Sequence, residues 1–354
     1  MKNMSKTTKS SLITYGLVVL AYVVAEIFMK TGHMTSLLKG LLVPLCVYAI
    51  LAVSLNLTVG ILGELSLGHA GFMCVGAFTS AVFTKCMMHT ITVPTVRFLL
   101  ALLVGVVCAG ICGVLIGIPV LRLRGDYLAI VTLAFGEIIK NLVNVIYLGK
   151  DSAGFHFSMK DIMSLNMEAD GDVIIKGAQG ITGAPTDSNF TIGIILLLIT
   201  LFVVMNLVNS RSGRAIMAIR DNRIAAESIG INITKYKILA FSISAALAGA
   251  AGVLYAHNLS TLTALPKNFG YNMSITILVF VVLGGIGNIR GSVIAAVVLT
   301  LLPELLRFLS DYRMLIYAIV LIVMMLFNWA PAARNWRARV MEKIKGTKNK
   351  KEAA

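Results

Sequence analysis

The sequence predicts an all-α membrane protein, a polytopic helical bundle of about ten transmembrane segments. Of its 354 residues, 58% are hydrophobic and only 13% are charged, whereas soluble domains are about 45–50% apolar and about 25% charged. The apolar residues form runs of about 20, the length that crosses a bilayer as a helix. Most of the 31 Lys and Arg residues lie in alternate polar breaks and near the two ends, as expected of a chain that crosses a membrane repeatedly.

The predicted spans follow one another along nearly the whole chain. Their approximate ranges are 11–29, 38–59, 66–86, 98–121, 127–148, 191–209, 237–257, 272–288, 291–309 and 313–330. The first span follows Lys2, Lys6 and Lys9 as the apolar part of a signal peptide would. It is too long for that and no A-x-A cleavage site follows, so an uncleaved span is preferred. The third and eighth spans are candidates for broken or re-entrant helices.

The charge distribution predicts a multi-pass protein of the cell (plasma or inner) membrane with both termini in the cytoplasm. Residues 1–10 form a cytoplasmic segment, residues 11–330 the transmembrane domain, and residues 331–354 a basic cytoplasmic tail that rests on anionic membrane lipid. Residues 149–190 form an external loop, long enough to indicate a function or disorder. Because topology explains the net charge of +15, no nucleic-acid partner is predicted.

Residues 210–237 are a basic island between two spans, predicted to be cytoplasmic, and we call them the coupling segment. Asp221 or Asn222 can cap a short helix here, and Gly230 can close it in the left-handed conformation. The sequence Ala225-Ala226-Glu227 with Gly230 resembles the EAA-type coupling loop of ABC importer permeases, which sits in a groove of the ATP-hydrolysing subunit. That resemblance implies a coupling role for five residues: Arg223, Ala225, Ala226, Glu227 and Gly230. A solvated connecting loop is the alternative.

Glycines and polar side chains after the second span are candidates for lining a translocation pathway. The candidates are Gly63, Glu64, Ser66 and His69, within a run that has five glycines between residues 60 and 76. Unwound backbone is plausible there, and at membrane depth it is tolerated only where it faces protein or water. A structural turn explains the same glycines.

Glu137 and Lys140 complete the pathway candidates, because they lie near the middle of the fifth span. A charge there costs roughly 2.5–3.5 kcal/mol on insertion scales. Their i,i+3 spacing predicts an ion pair that shares this cost. Ionisable groups in membranes are functional candidates, and an internal pair that fixes helix packing is the alternative.

No pattern in the sequence indicates catalysis or a metal site. The chain lacks a P-loop, an H-E-x-x-H motif and a G-x-S-x-G motif, which disfavours an ATPase, a zinc protease and a serine protease. The five cysteines lie in or beside apolar segments without a CxxC pattern, so buried thiols are predicted. We therefore predict no catalytic residue, no metal ligand and no bound cofactor in this chain.

Several blocks in succession resemble the LivM-type permease subunits of branched-chain amino acid ABC importers (the LivM/LivH family). The blocks are LNLTVG at 55–60, LSLGHAGF at 65–72, RLRGDYLAIVTLAFGE at 122–137, GAQGITGAP at 177–185, AAESIG at 225–230 and VLGGIGN at 282–288. The resemblance extends from residue 41 to residue 331 in the family's order. It implies the ABC importer permease fold.

The same resemblance implies the partners and the cargo. The partners are a homologous LivH-like permease in a heterodimer, two cytoplasmic ATP-binding cassette subunits that hold the ATP, and an extracytoplasmic amino-acid-binding protein. Leucine, isoleucine and valine are the expected solutes, with urea, amides or other amino acids as alternatives. Two other classes remain: an ion-coupled secondary transporter, which Glu137 supports best, and a receptor or channel module.

Overall fold

The protein is described by a computed structural model that covers residues 6–32, 34–88, 90–123, 125–151, 154–167, 171–307 and 312–329. The predicted basic tail, residues 331–354, lies outside the described residues. The long helices of the protein are α1 Lys6–Lys30, α2 Ser36–Asn56, α3 His69–Met87, α4 Pro94–Val120, α5 Asp126–Val145, α6 Phe190–Asn209, α9 Ile233–Ala256, α11 Tyr271–Gly284, α12 Ile289–Leu305 and α13 Arg313–Trp329. The short helices are α7 Arg211–Asp221, α8 Arg223–Ser228 and α10 Pro266–Phe269.

Each predicted span corresponds to a helix. Within the described residues, eight helical stretches are long and apolar enough to cross a membrane. These are α1 to α6, α9, and α10 with α11. Two shorter helices of 17 residues each, α12 and α13, take the places of the ninth and tenth predicted spans. The chain divides into two compact units after Ala296, so that α1 to the first half of α12 belong to the first unit.

The second span continues past its predicted end and the third begins late. After α2, residues Leu57–Leu62 wind as a π-helix, and Gly63 then adopts a left-handed conformation with φ 79°. Residues 63–68 are not helical, and α3 begins at His69. The eighth span is broken as well, because Gly270 separates the one-turn helix α10 from α11.

Close backbone contacts at small residues hold the first unit together. A Cβ built on Gly76 of α3 would lie 2.3 Å from the carbonyl oxygen of Gly249 in α9, and one on Gly252 would lie 2.1 Å from the carbonyl oxygen of Met73. A Cβ on Gly113 of α4 would lie 2.5 Å from the Cβ of Ala245 in α9. The small residues of α9 therefore let α3 and α4 approach it, as small-residue faces do in membrane bundles.

The predicted external loop is folded, which the sequence analysis missed. Its strands are β1 Tyr147–Lys150, β2 Phe155–Ser158, β3 Asp172–Lys176 and β4 Ile181–Thr182, and β5 Thr261–Leu262 follows α9. β1 pairs antiparallel with both β2 and β3, in the order β2-β1-β3. β4 pairs with β5, so the loop is joined to the connection between α9 and α10.

Two ion pairs fix this loop to the ends of the helices. Lys85 of α3 lies 3.3 Å from a carboxylate oxygen of Asp172. Arg97 of α4 binds Asp187 at 2.7 Å, and both side chains are buried. The connections after α3, α5 and α9 therefore meet on one side of the bundle, which we call the sheet side.

The opposite side carries the other set of connections, and we call it the coupling side. Asn56 at the end of α2 accepts a hydrogen bond from the backbone N–H of Gly287, in the turn between α11 and α12, at 2.9 Å. Arg220 in the coupling segment donates to the carbonyl of Gly60 at 3.0 Å. The ends of α2 and α11 and the segment that follows α6 therefore meet on this side.

Candidate coupling and translocation sites

The coupling segment begins each of its helices with a side-chain cap. Ser210 accepts a hydrogen bond from the N–H of Gly213 at 3.1 Å and starts α7. Asn222 accepts from the N–H of Ala225 at 3.1 Å and starts α8. Of the two predicted caps, Asn222 is therefore the one that the structure uses, and Asp221 is not. The residues predicted one short helix here, whereas the segment contains two, α7 and α8.

Gly230 ends α8 as predicted. Its φ is 84°, in the left-handed region, and its N–H donates to the carbonyl of Glu227 at 3.0 Å while Ile231 N–H donates to Ala226 at 3.1 Å. Apart from its two chain neighbours, no described residue has an atom within 4 Å of a Cβ built on Gly230. Glycine is therefore favoured by the backbone conformation alone, since a left-handed residue with a Cβ is strained.

The two alanines of α8 face opposite ways. Ala226 is buried in a cluster with Ile219 of α7 and Ile233 of α9, whereas Ala225 is exposed. The small side chain of Ala226 lets α8 pack on its own chain.

The outward face of α8 is apolar with one acidic residue. Ile224 is 81% exposed, Ile229 at the C-cap of α8 is 75% exposed, and Glu227 between them in sequence is also exposed. Arg223 and Glu227 are spaced i,i+4 on α8 but form no ion pair with each other. Exposed pairs gain little because side-chain entropy and screening offset the attraction, so Glu227 stays available on this face.

Gly63 and Glu64 lie where α2 meets the coupling segment. A Cβ on Gly63 would lie 2.5 Å from Cγ of Arg220, so the stem of this arginine occupies the space beside the glycine. Glu64 forms an ion pair with Lys237 of α9 in which both side chains are largely buried. These two pathway candidates therefore contact the coupling segment, and neither partner was identified from the sequence.

Ser66 and His69 lie inside the bundle at the start of α3. His69 is buried and its Nε2 is 2.7 Å from Oγ of Ser54 in α2. Ser66 is also buried, and its hydroxyl has no hydrogen-bond partner among the described residues. Within the part of the chain that the structure describes, no group of three His, Cys, Asp or Glu side chains can hold a metal ion.

The glycines around Ser66 and His69 serve mainly close packing. A Cβ on Gly68 would lie 2.2 Å from the carbonyl oxygen of Thr132, and one on Gly71 would lie 2.7 Å from Cα of Gly136, both in α5. The unwound backbone that the sequence suggested for residues 60–76 is confined to residues 63–68. Gly68 and Gly71 therefore let α3 approach α5, whereas Gly76 lets it approach α9.

Glu137 and Lys140 form the predicted ion pair in α5. Glu137 also accepts a hydrogen bond from the backbone N–H of Tyr271, the first residue of α11, at 2.7 Å. α11 therefore begins at about the depth of the middle of α5, and the carboxylate satisfies one of the N–H groups that a helix start leaves without an intrahelical partner. This contact across the break at Gly270 could not be foreseen from the spacing of the pair.

The six pathway candidates thus fall into three groups instead of one site. Gly63 and Glu64 belong to the coupling side, Ser66 and His69 to the interior, and Glu137 with Lys140 to the start of α11. Apolar spans, helices broken near glycines and a capped helical segment projecting on one side define a multi-pass membrane transport subunit.

The chain belongs to the family described as branched-chain amino acid transport system / permease component, whose model matches residues 37–327. It is similar to the high-affinity branched-chain amino acid transport system permease protein LivM of Salmonella typhimurium, with 34% identity over 325 residues that cover 87% of this chain and 72% of the relative. LivM of Escherichia coli is 33% identical over 317 residues with the same coverage.

A more distant relative is the probable ABC transporter permease protein YphD of Escherichia coli. It is 27% identical over 155 residues, 41% of this chain and 46% of that relative. No solved structure matches the chain significantly.

Proposed function

We propose that this chain is one of two homologous permeases in an ATP-driven importer and that it translocates leucine, isoleucine and valine delivered by an extracytoplasmic binding protein. The second permease resembles LivH, and two ATP-binding cassette subunits hold and hydrolyse the ATP, so that this chain contributes transport and no ATPase site. Similarity to LivM proteins over most of the chain supports the cargo and the partners.

The observation that carries the coupling role is the outward face of α8. The exposed residues are Ile224 and Glu227 of α8 and Ile229 at its C-cap. Asn222 caps the start of the helix, and Gly230 closes its end. An apolar face held in a defined conformation suits docking into a groove of a partner, because little conformational entropy is lost on binding. Cassette subunits are the partners that fit, and their closure would move α8. Both carboxylate oxygens of Glu137 are engaged, one by Lys140 and the other by the backbone N–H of Tyr271, so this residue has a role in packing and lends no support to an ion-coupled transporter.

The left-handed conformation of Gly230 provides a test of this coupling. We expect Gly230→Val to lower uptake strongly, because the valine strains the turn by about 1–3 kcal/mol and displaces the end of α8. Capture of solute by the binding protein should be unchanged. The measurements are ATP-dependent uptake and the stimulation of hydrolysis by loaded binding protein, at matched amounts of permease in the membrane.

Gly230→Asn is the matched control, since asparagine tolerates the left-handed region and nothing lies within 4 Å of the added Cβ. It should retain most of the uptake. Wild-type uptake and stimulation in the valine variant would remove the coupling role from this turn.

We also propose that the coupling side faces the cytoplasm, because most Lys and Arg residues of the chain belong to it and to the two termini. On a cysteine-free background, Met163→Cys should react with a membrane-impermeant maleimide in intact cells, since Met163 on the sheet side is 89% exposed. Arg211→Cys at the exposed start of α7 should react only after permeabilisation. Labelling of residue 211 in intact cells would reverse the orientation.

A further inference from the structure

We propose that Arg220 and Lys237 are positioning residues that make residues 60–64, where the π-helical continuation of α2 ends, the point where movement of α8 enters the bundle. The inference rests on the proposed coupling function and adds its route inside this chain. The two basic residues stand on either side of α8 in sequence, Arg220 in the last turn of α7 and Lys237 in the second turn of α9. Both contact the same short stretch.

Arg220 is held in one orientation against the end of α2. Its Nη1 donates to the carbonyl of Gly60 at 3.0 Å, while its Nε and Nη2 donate to Asp221 at 3.0 and 2.9 Å. Its stem fills the space beside Gly63, whose left-handed conformation ends the π-helix. A guanidinium at this place satisfies a carbonyl that the helix end leaves without an intrahelical donor, and it complements the negative end of the helix dipole.

Lys237 makes the second attachment one residue beyond Gly63. Its side chain is 5% exposed and that of its partner Glu64 is 17% exposed. Burial makes the pair costly to break, because a lone charge would remain with little water. Since α8 lies between the two attachments, a shift of α8 pulls on residues 60–64 through both neighbouring helices.

The end of α2 is in turn fixed to the turn between α11 and α12. Asn56 accepts from the N–H of Gly287 and donates to Oγ of Ser292, both at 2.9 Å. A Cβ on Gly60 would lie 2.4 Å from the backbone nitrogen of Gly287, so the two backbones touch. A displacement of residues 60–64 therefore reaches α11, whose other end contacts Glu137. Single π-helical turns within helices are frequent at functional sites, and this one lies at the junction.

These contacts have a purely structural alternative, in which they only hold the coupling segment on the bundle. The two roles differ in what they predict. Loss of a structural contact lowers docking, hydrolysis and uptake together. Loss of a transmitting contact leaves docking and stimulated hydrolysis in place and lowers the number of solute molecules moved per ATP.

The test uses the complete transporter, with the partner permease, the cassette subunits and the binding protein, reconstituted in proteoliposomes. Arg220→Gln removes the positive charge and the three guanidinium nitrogens that donate to Gly60 and Asp221. We expect hydrolysis stimulated by loaded binding protein to stay within about twofold of wild type and solute moved per ATP to fall about tenfold, within the range typical of coupling between sites. Arg211→Gln is the matched control, because Arg211 lies on the same helix, is exposed and contacts no side chain through a hydrogen bond or ion pair among the described residues.

The second attachment is tested by exchanging its charges. Glu64→Lys and Lys237→Glu should each lower solute moved per ATP, and the double variant should recover a large part of the loss, since the opposite charges then meet again. If Arg220→Gln fails to assemble, Arg220→Lys takes its place. The lysine variant keeps the charge and most of the aliphatic side chain, but a single ammonium cannot reproduce the guanidinium's simultaneous hydrogen bonds to Gly60 and Asp221.

An unchanged ratio of solute to ATP in Arg220→Gln, or in its replacement, overturns the proposal, whether uptake is normal or falls in parallel with hydrolysis. An equal fall in solute moved per ATP in Arg211→Gln would also overturn the proposal. Failure of the proposed function gives a different result, because the wild-type transporter itself would then show no ATP-dependent uptake of leucine, isoleucine or valine.

Discussion

Replacing Lys140 alone with methionine is expected to destabilise the folded permease by about 3–5 kcal/mol. The side chain of Glu137 is only 23% exposed, and Lys140 is its ion-pair partner. Without the lysine the carboxylate keeps a single described partner, the backbone N–H of Tyr271. A lone charge at this depth is poorly solvated, so the variant should unfold at a lower temperature or denaturant concentration in purified permease, and less of it should accumulate in the membrane.

The double variant Glu137→Gln with Lys140→Met is the control for this prediction. It removes both charges, and glutamine can still accept the hydrogen bond from Tyr271, so it should be more stable than the Lys140 variant. The difference measures the interaction between the two sites. Stability equal to wild type in both single variants, Lys140→Met and Glu137→Gln, would show that the pair contributes nothing to the fold.

Gly76→Ala is expected to cost about 1–3 kcal/mol through overpacking, although alanine favours a helix over glycine by about 1 kcal/mol. The added Cβ would lie 2.3 Å from a backbone oxygen and 2.5 Å from Cα of Gly249 in α9. Backbone cannot rotate away as a side chain can, so α3 and α9 must move apart. Thermal unfolding of the purified permease measures the loss.

Gly110→Ala in α4 separates this contact from a general effect of the substitution. Its Cβ would lie 3.5 Å from the Cβ of Ala246, an ordinary van der Waals distance. This variant should be as stable as wild type or slightly more stable. Equal effects at Gly76 and Gly110 would contradict the role given to the close approach of α3 and α9.

The part of the site that could be predicted from the sequence depends on neighbours along the chain. The Glu137–Lys140 pair follows from i,i+3 spacing, the cap at Asn222 from a residue type before a short helix, and the turn at Gly230 from the need for positive φ. The sequence did not show which face of α8 is covered by its own chain. Ala226 packs inward and Ala225 outward, and which side of a six-residue helix is covered depends on the position of Ile219 and Ile233 beside it.

By itself the sequence determined the class of protein and the places of its apolar helices, because runs of apolar residues are a local feature that repeats along the chain. Only the tertiary structure decided that Arg220 packs beside Gly63 and that Lys237 pairs with Glu64. The same holds for the contact of Glu137 with the start of α11 and for the sheet after α5 that Lys85 and Arg97 fix to the bundle. These contacts join residues far apart in the chain, and their partners are set by how closely the helices pack.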